Sequence, residues 1–205
     1  MAVPINGSKQ DTGSQPPIPR RIFHFVAGSV VPIAGIFMPE AVMVVGLGVM
    51  TAGSLGLEMA RFKFAWLNQR LVRWFASLLK VDENRRITGA TYMLVAGLIV
   101  FLLFDRAVAV TALLFLSLGD PAAAMVGRQM RGPRVFGKSP VGTAAFFFVS
   151  LAVVAVLVGG ASFPYHWGFL IGAAVSALVE LVSLPPDDNL TIPIAAGVAM
   201  HLLGV

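Results

Sequence analysis

A few polar residues stand inside or beside long apolar runs, and these are the residues that could do chemistry. Glu58, Asp120 and Glu180 lie within or at the ends of such runs, Asp187, Asp188 and Asn189 follow Glu180, and His24 follows Arg20 and Arg21. An unpaired charge in lipid costs at least ~2.5–3.5 kcal/mol, so acids kept there point to function. Two carboxylates and an amide at 187–189 offer hard oxygen ligands for Mg²⁺, which takes few protein ligands and completes its shell with phosphates. The same residues can also form a Pro-Asp turn that caps the next helix, with Asn189 as the cap.

Three other stretches carry similar double readings. In Gly119-Asp120-Pro121 the glycine and proline can loosen a helix next to the acid, and Ala123 and Gly127 open one face to close packing or to a ligand. Asp120 is then either a functional acid or part of a kinked packing face paired to an arginine. The loop Gly127–Gly142 contains Arg128, Arg131, Arg134 and Lys138 with Phe136-Gly137-Lys138-Ser139, which suits phosphate oxygens or a simple topology signal; its spacing is not that of a P-loop. Thr88, before Gly89-Ala90-Thr91-Tyr92, can meet an anion at a helix start or act as an ordinary N-cap.

The elements that must position these groups are helices. The chain has 205 residues, 57% hydrophobic and 12% charged, with mean hydropathy +0.84. That much apolar surface needs lipid as solvent. Apolar runs at 22–38, 41–59, 87–104, 107–126, 141–161, 168–184 and 190–205 predict an all-α polytopic membrane protein with about seven transmembrane helices. Residues 62–81, with Leu67, Leu71, Trp74, Phe75 and Leu78 at helical spacing, predict an amphipathic helix at the interface. Residues 1–19 read as a disordered tail and 20–205 as one transmembrane domain.

Of 15 Lys and Arg, only Arg106 falls in a loop assigned to the outer side, so the basic loops and the polar residues belong to the cytoplasmic face. Anionic headgroups and phosphorylated ligands suit this pattern, and nucleic acid does not. There are no cysteines, which excludes disulfides and thiol chemistry. The glycine-rich run Val45–Gly56 leaves packing within the chain or across a homodimer open.

Taken together, Arg20-Arg21-Ile22-Phe23-His24, Thr88–Tyr92, Gly119-Asp120 with Gly127, Gly137-Lys138-Ser139 with Gly142, and Glu180 followed by Asp188-Asn189 and Pro193 resemble the CTP-dependent lipid kinases. That family includes dolichol kinase, phytol kinase and the fungal CTP-dependent diacylglycerol kinase, and it is related to CTP:phosphatidate cytidylyltransferases. The family often has Arg-Lys where this chain has Arg20-Arg21, and its eukaryotic dolichol kinases are longer.

The resemblance implies transfer of the γ-phosphoryl group of CTP to a lipid alcohol in the bilayer, with Mg²⁺. On that footing Asp120 would bind Mg²⁺ with Asp188 or Asn189. Arg20, Arg21 and Lys138, with Thr88 and Ser139, would meet the CTP phosphates. Gly119 and Gly127 would allow close approach, and Glu58, Glu180 and His24 would compete for the role of base. A cytidylyltransferase, a lipid transporter or flippase, and a structural membrane protein are the rival readings.

Overall fold

The structure, a computed structural model, describes residues 18–75, 83, 86–130, 132–160 and 162–205, with side chains from residue 25 onward. The tail at 1–17, Lys80, Arg85, Arg131 and the side chains of Arg20, Arg21 and His24 therefore lie outside the described residues. The elements are α1 (Ile18–Phe37), α2 (Glu40–Lys63), α3 (Ala65–Trp74), α4 (Gly89–Leu103), α5 (Arg106–Leu114), a π-helical turn (Phe115–Gly119), α6 (Asp120–Gln129), α7 (Pro140–Gly159), α8 (Gly168–Val182) and α9 (Asp188–Leu202). Among the described residues there is no strand, only one isolated bridge between Val135 and Lys138.

Each apolar run of the sequence coincides with a helix or, for 107–126, with the continuous rod of α5, the π-turn and α6. Three helices, α2, the Arg106–Gln129 rod and α7, are long and apolar enough to cross a membrane. Phe25–Phe37, α4 and α8 are shorter apolar rods. A helix such as α4, of 15 residues, extends only about 22 Å at 1.5 Å per residue, less than the ~30 Å hydrocarbon core.

The rod is the axis of the molecule. Val108–Leu114 are all buried, as are Phe115 and Leu116. A helix apolar on every side belongs in an interior. Around it α1, α7 and α9 pack, α8 pairs with α9, α6 with α7, and α2 with α4. The outer surface is apolar as well: Val45, Val49, Phe148, Val156 and Leu202 are exposed. Water would penalise so continuous an apolar coat, and lipid does not.

The loosening expected near Asp120 takes a definite form. Pro121 has no N–H to give to the carbonyl of Ser117, four residues back, and its ring crowds that carbonyl. The helix widens into the π-turn immediately before Asp120, and Ser117 Oγ donates to the carbonyl of Leu113 at 2.8 Å.

One expectation is corrected. The amphipathic helix is Ala65–Trp74, split from α2 by an extended Phe64. Its inward face is Leu67, Asn68, Leu71 and Val72, while Trp74 and Phe75 are exposed; residues 76–82, with Leu78, lie outside the described residues. The glycines of Val45–Gly56 make no packing within the chain, since a Cβ at Gly46, Gly48, Gly53 or Gly56 would meet nothing within 4 Å.

Candidate active site

Two polar clusters form at one end of the bundle. The first closes the N-terminus of α4, where the leading N–H groups have no helical partner. Glu58 Oε1 accepts from the Thr88 N–H at 3.0 Å, Thr88 Oγ1 at 2.8 Å and Thr91 Oγ1 at 3.1 Å. Glu83 takes the Gly89 N–H at 3.1 Å. Arg61, 4% exposed, donates through Nε to Glu58 Oε2 at 2.5 Å. It also donates to Asn68 Oδ1 at 3.1 Å, the Glu83 carbonyl at 3.0 Å and the Arg86 carbonyl. Thr88 is the N-cap of α4. The Thr88 and Gly89 N–H groups are thus met by two carboxylates of the chain itself, and that of Thr91 by Thr88 Oγ1 at 3.4 Å.

The second cluster joins α6, α7, α8 and α9 through Lys138. A tight turn aims this residue: Val135 and Lys138 exchange backbone hydrogen bonds at 2.9 Å, with Phe136 and Gly137 at φ 50° and 80°. Such a turn needs left-handed backbone, which explains the glycine. Lys138 Nζ donates to Glu180 Oε1 and to Asp188 Oδ2, each at 2.9 Å. Thr143 Oγ1 donates to Glu180 Oε2 at 2.9 Å, and Ser183 Oγ to Asp188 Oδ2 at 3.2 Å.

Burial works against the charge of Lys138, yet Asp188, Glu180 and Asp120 hold the ammonium above its ordinary range. Burial pushes Asp188 up, Lys138 pulls it back, and Asp120 and Asp187 push it up again, leaving it above the usual carboxylate range. The Asp120 carboxylate makes no hydrogen bond or ion pair among the described residues. Several acids therefore share one ammonium, and an ammonium has three donors, two of which are used here.

The structure brings Asp120, Lys138, Glu180 and Asp188 together and puts Glu58 and Thr88 in the other cluster. Ser139 caps α7, its Oγ accepting from the Gly142 N–H at 3.4 Å. The space beside Gly119 and Gly127 is filled by protein: a Cβ at Gly119 would lie 2.8 Å from Phe146 and one at Gly127 3.0 Å from Ser139. Those glycines serve the α6–α7 packing. The cap of α9 is Asp187, whose Oδ1 accepts from the Asn189 N–H at 3.0 Å, so Asn189 is not the cap. One residue apart on a helix, Asp188 and Asn189 point to different places: Asp188 to Lys138, and Asn189 into a cavity with Glu58.

Arg61, Glu83 and Thr143 were missed in the sequence. For Arg61 the signal was present, a Glu-x-x-Arg spacing that puts both charges on one helical face. Among the described residues no three of His, Asp and Glu gather tightly enough to hold a metal alone.

Fold and site together define an all-helical protein with a membrane-type surface and buried, ion-paired polar clusters at one end. The chain is similar over most of its length to CTP-dependent diacylglycerol kinases. It is 24% identical over 204 residues to CTP-dependent diacylglycerol kinase 1 of Schizosaccharomyces pombe, covering 91% of this chain and 93% of that protein. It is 27% identical over 169 residues to the protein of the same name from Saccharomyces cerevisiae, covering 71% of this chain and 58% of that one. An uncharacterized protein of Rickettsia prowazekii, RP860, is 28% identical over 185 residues, 86% of this chain and 89% of its own length. No family model matches, and no solved structure matches.

Proposed function

We propose that the chain is a CTP-dependent lipid kinase that moves the γ-phosphoryl group of CTP to the hydroxyl of a membrane lipid alcohol. In this reading all seven apolar helices span the bilayer, the 15-residue α4, α8 and α9 where it thins locally, and the polar end faces the cytoplasm, where the nucleotide is. Similarity to the diacylglycerol kinases supports the donor and the reaction type. The observation that carries the site is the crowding of Asp120, Glu180 and Asp188 around the single ammonium of Lys138. So acidic a site repels a triphosphate unless a divalent cation accompanies it.

Oxygen donors with excess negative charge fit Mg²⁺. Asp120 and Asp188 would hold it, and it would neutralise charge on the phosphate oxygens. Arg20 and Arg21, two cations at the start of α1, are assigned to the triphosphate, with the third N–H of Lys138. The acceptor oxygen forms a bond to the γ-phosphorus, the bond from that phosphorus to the β–γ bridging oxygen breaks, and CDP leaves. The hydroxyl proton needs a base. Glu58 and Glu180 carry donors on both oxygens, which suits holding rather than proton removal. We assign the role to His24, one helical turn before Ala27 and Gly28 on α1.

The test is turnover in lipid micelles with CTP labelled at the γ-phosphate, Mg²⁺ and diacylglycerol, phytol or a polyprenol. Label in an organic-soluble product supports the kinase reading, and the best acceptor gives the lipid class. Label released as pyrophosphate with phosphatidate supplied makes the chain a cytidylyltransferase. No movement of label with folded protein refutes both.

A further inference from the structure

α1 and α2 are joined through Met38 and Pro39, yet α1 leans on α5 and the π-turn while α2 leans on α4. A cleft of about 530 Å³ remains between them. Its walls include Val30 and Val31 of α1, Met50 and Leu57 of α2, Leu94 of α4 and Leu113 of α5. Val30 and Met50 are more than half exposed, so the cleft opens onto the apolar outer coat. Its other end is polar, reaching Ser54, Glu58, Thr88, Thr91 and Asn189.

Asn189 is the residue that points to a ligand. It is 6% exposed, and it lines the cleft. Its backbone N–H is taken by Asp187, but its side-chain amide makes no hydrogen bond among the described residues. The amide is not sealed off, so a polar group that enters the cleft can reach it. The preceding residue, Asp188, belongs to the Lys138 cluster. Asn189 therefore stands at the polar end of the apolar cleft, one residue along α9 from the acidic site.

Charge narrows the occupant. Among the described lining residues the one cation is Arg61, and four of its five donors are committed, to Glu58, Asn68 and the carbonyls of Glu83 and Arg86. With Glu58 and Glu83 also lining the cleft, the described lining residues carry more negative than positive charge, which disfavours a lipid phosphate. We infer that the cleft binds a neutral lipid alcohol, hydrocarbon along the α1–α2 walls and hydroxyl on the Asn189 amide, one residue along α9 from Asp188. This rests on the lipid-kinase reading for its purpose, but its occupancy can be read without turnover.

The experiment uses full-length protein in phosphatidylcholine nanodiscs without CTP, photolysed with diacylglycerol bearing a diazirine in one acyl chain, and peptide mapping of the adducts. Saturable adducts on α1, α2 and α4 are expected, suppressed at least tenfold by excess unlabelled diacylglycerol and not by phosphatidate. Ala90→Trp, at an exposed small residue lining the cleft, should cut these adducts at least tenfold. In the kinase assay it should raise KM for the lipid and leave KM for CTP unchanged. Adducts spread equally over other lipid-facing residues such as Phe148 and Val156, or suppressed equally by phosphatidate, overturn the proposal. If Ala90→Trp does not fold, the wild-type map still decides. Saturable cleft adducts in a protein that transfers no γ-phosphate would uphold the cleft and refute the kinase reading; turnover without cleft adducts would do the reverse.

Discussion

Lys138→Met removes the ammonium that Glu180 and Asp188 share and keeps the unbranched stem of the side chain. The Glu180 side chain is 4% exposed, and those of Lys138 and Asp188 are 28% and 25% exposed. Deleting one partner of a buried pair costs ~3–5 kcal/mol. Partial water access at Lys138 and Asp188 puts this case near the low end, about 3 kcal/mol. For a chain of this size that is a fall in Tm of roughly 6–12 °C. The loss should depend on pH. Lys138 is held above its ordinary value, so its contribution is full below pH 10.5 and fades only above it, outside the range tested. Asp188 is already above the usual carboxylate range, and without Lys138 it moves higher. A carboxyl raised in the fold favours the folded state at low pH, and that advantage is lost as pH rises through its folded value. Thermal unfolding in detergent at pH 7.5 and pH 5 should therefore show a large gap between variant and wild type at pH 7.5 that narrows at pH 5. Lys138→Met with Asp188→Asn should recover part of the loss at pH 7.5. A gap of equal size at both pH values, or none at pH 7.5, refutes the reasoning.

Three further outcomes are expected. Glu58→Gln leaves Arg61 buried without its carboxylate and should lower stability by about 3 kcal/mol, with activity falling in parallel as unfolding is followed by circular dichroism. Gly142→Ala places a Cβ 2.6 Å from the Ala123 carbonyl, so α6 and α7 must separate. It should cost ~1–3 kcal/mol, whereas Gly48→Ala, with open space around it, should be neutral or stabilising by up to ~1 kcal/mol; paired melting curves compare the two. Asp120→Asn should reduce γ-phosphoryl transfer by at least about a hundredfold (~2.7 kcal/mol). Because it removes both a repulsion on Asp188 and an attraction to Lys138, it should change Tm far less than Lys138→Met does, which separates a lost function from a lost fold.

The helices were legible because lipid demands long apolar runs with internal backbone bonding, and each run matches a helix within a few residues. The loosened helix at Asp120 was legible from Pro121 for the same local reason. Side-chain partners were not, because they depend on long-range contacts: Lys138 reaches Glu180 and Asp188 across 42 and 50 residues of sequence. Thr88 and Glu58, 30 residues apart, form one cap that no local spacing reveals. Gly119, Gly127 and Ser139 have the types that suit a phosphate, yet a small residue at a helix crossing and a hydroxyl at a helix start look the same in sequence. The separation of Asp188 from Asn189 follows from helical geometry once the helix start is known, and Asp187 as cap supplied that start.

The π-turn sets the angular phase of everything after it. One extra residue in an α-helix turns the downstream segment by about 100°. Upstream, α5 is buried on all sides and insensitive to such a rotation; downstream, α6 must turn one face to α7 and present Asp120 beside Lys138. Deleting a single residue from Phe115–Gly119 would leave composition, hydropathy and the length of the rod almost unchanged. It would nonetheless swing Asp120 about a quarter of a turn away from the other acids, so a chain that still inserts and folds could lose its site through a change of phase alone.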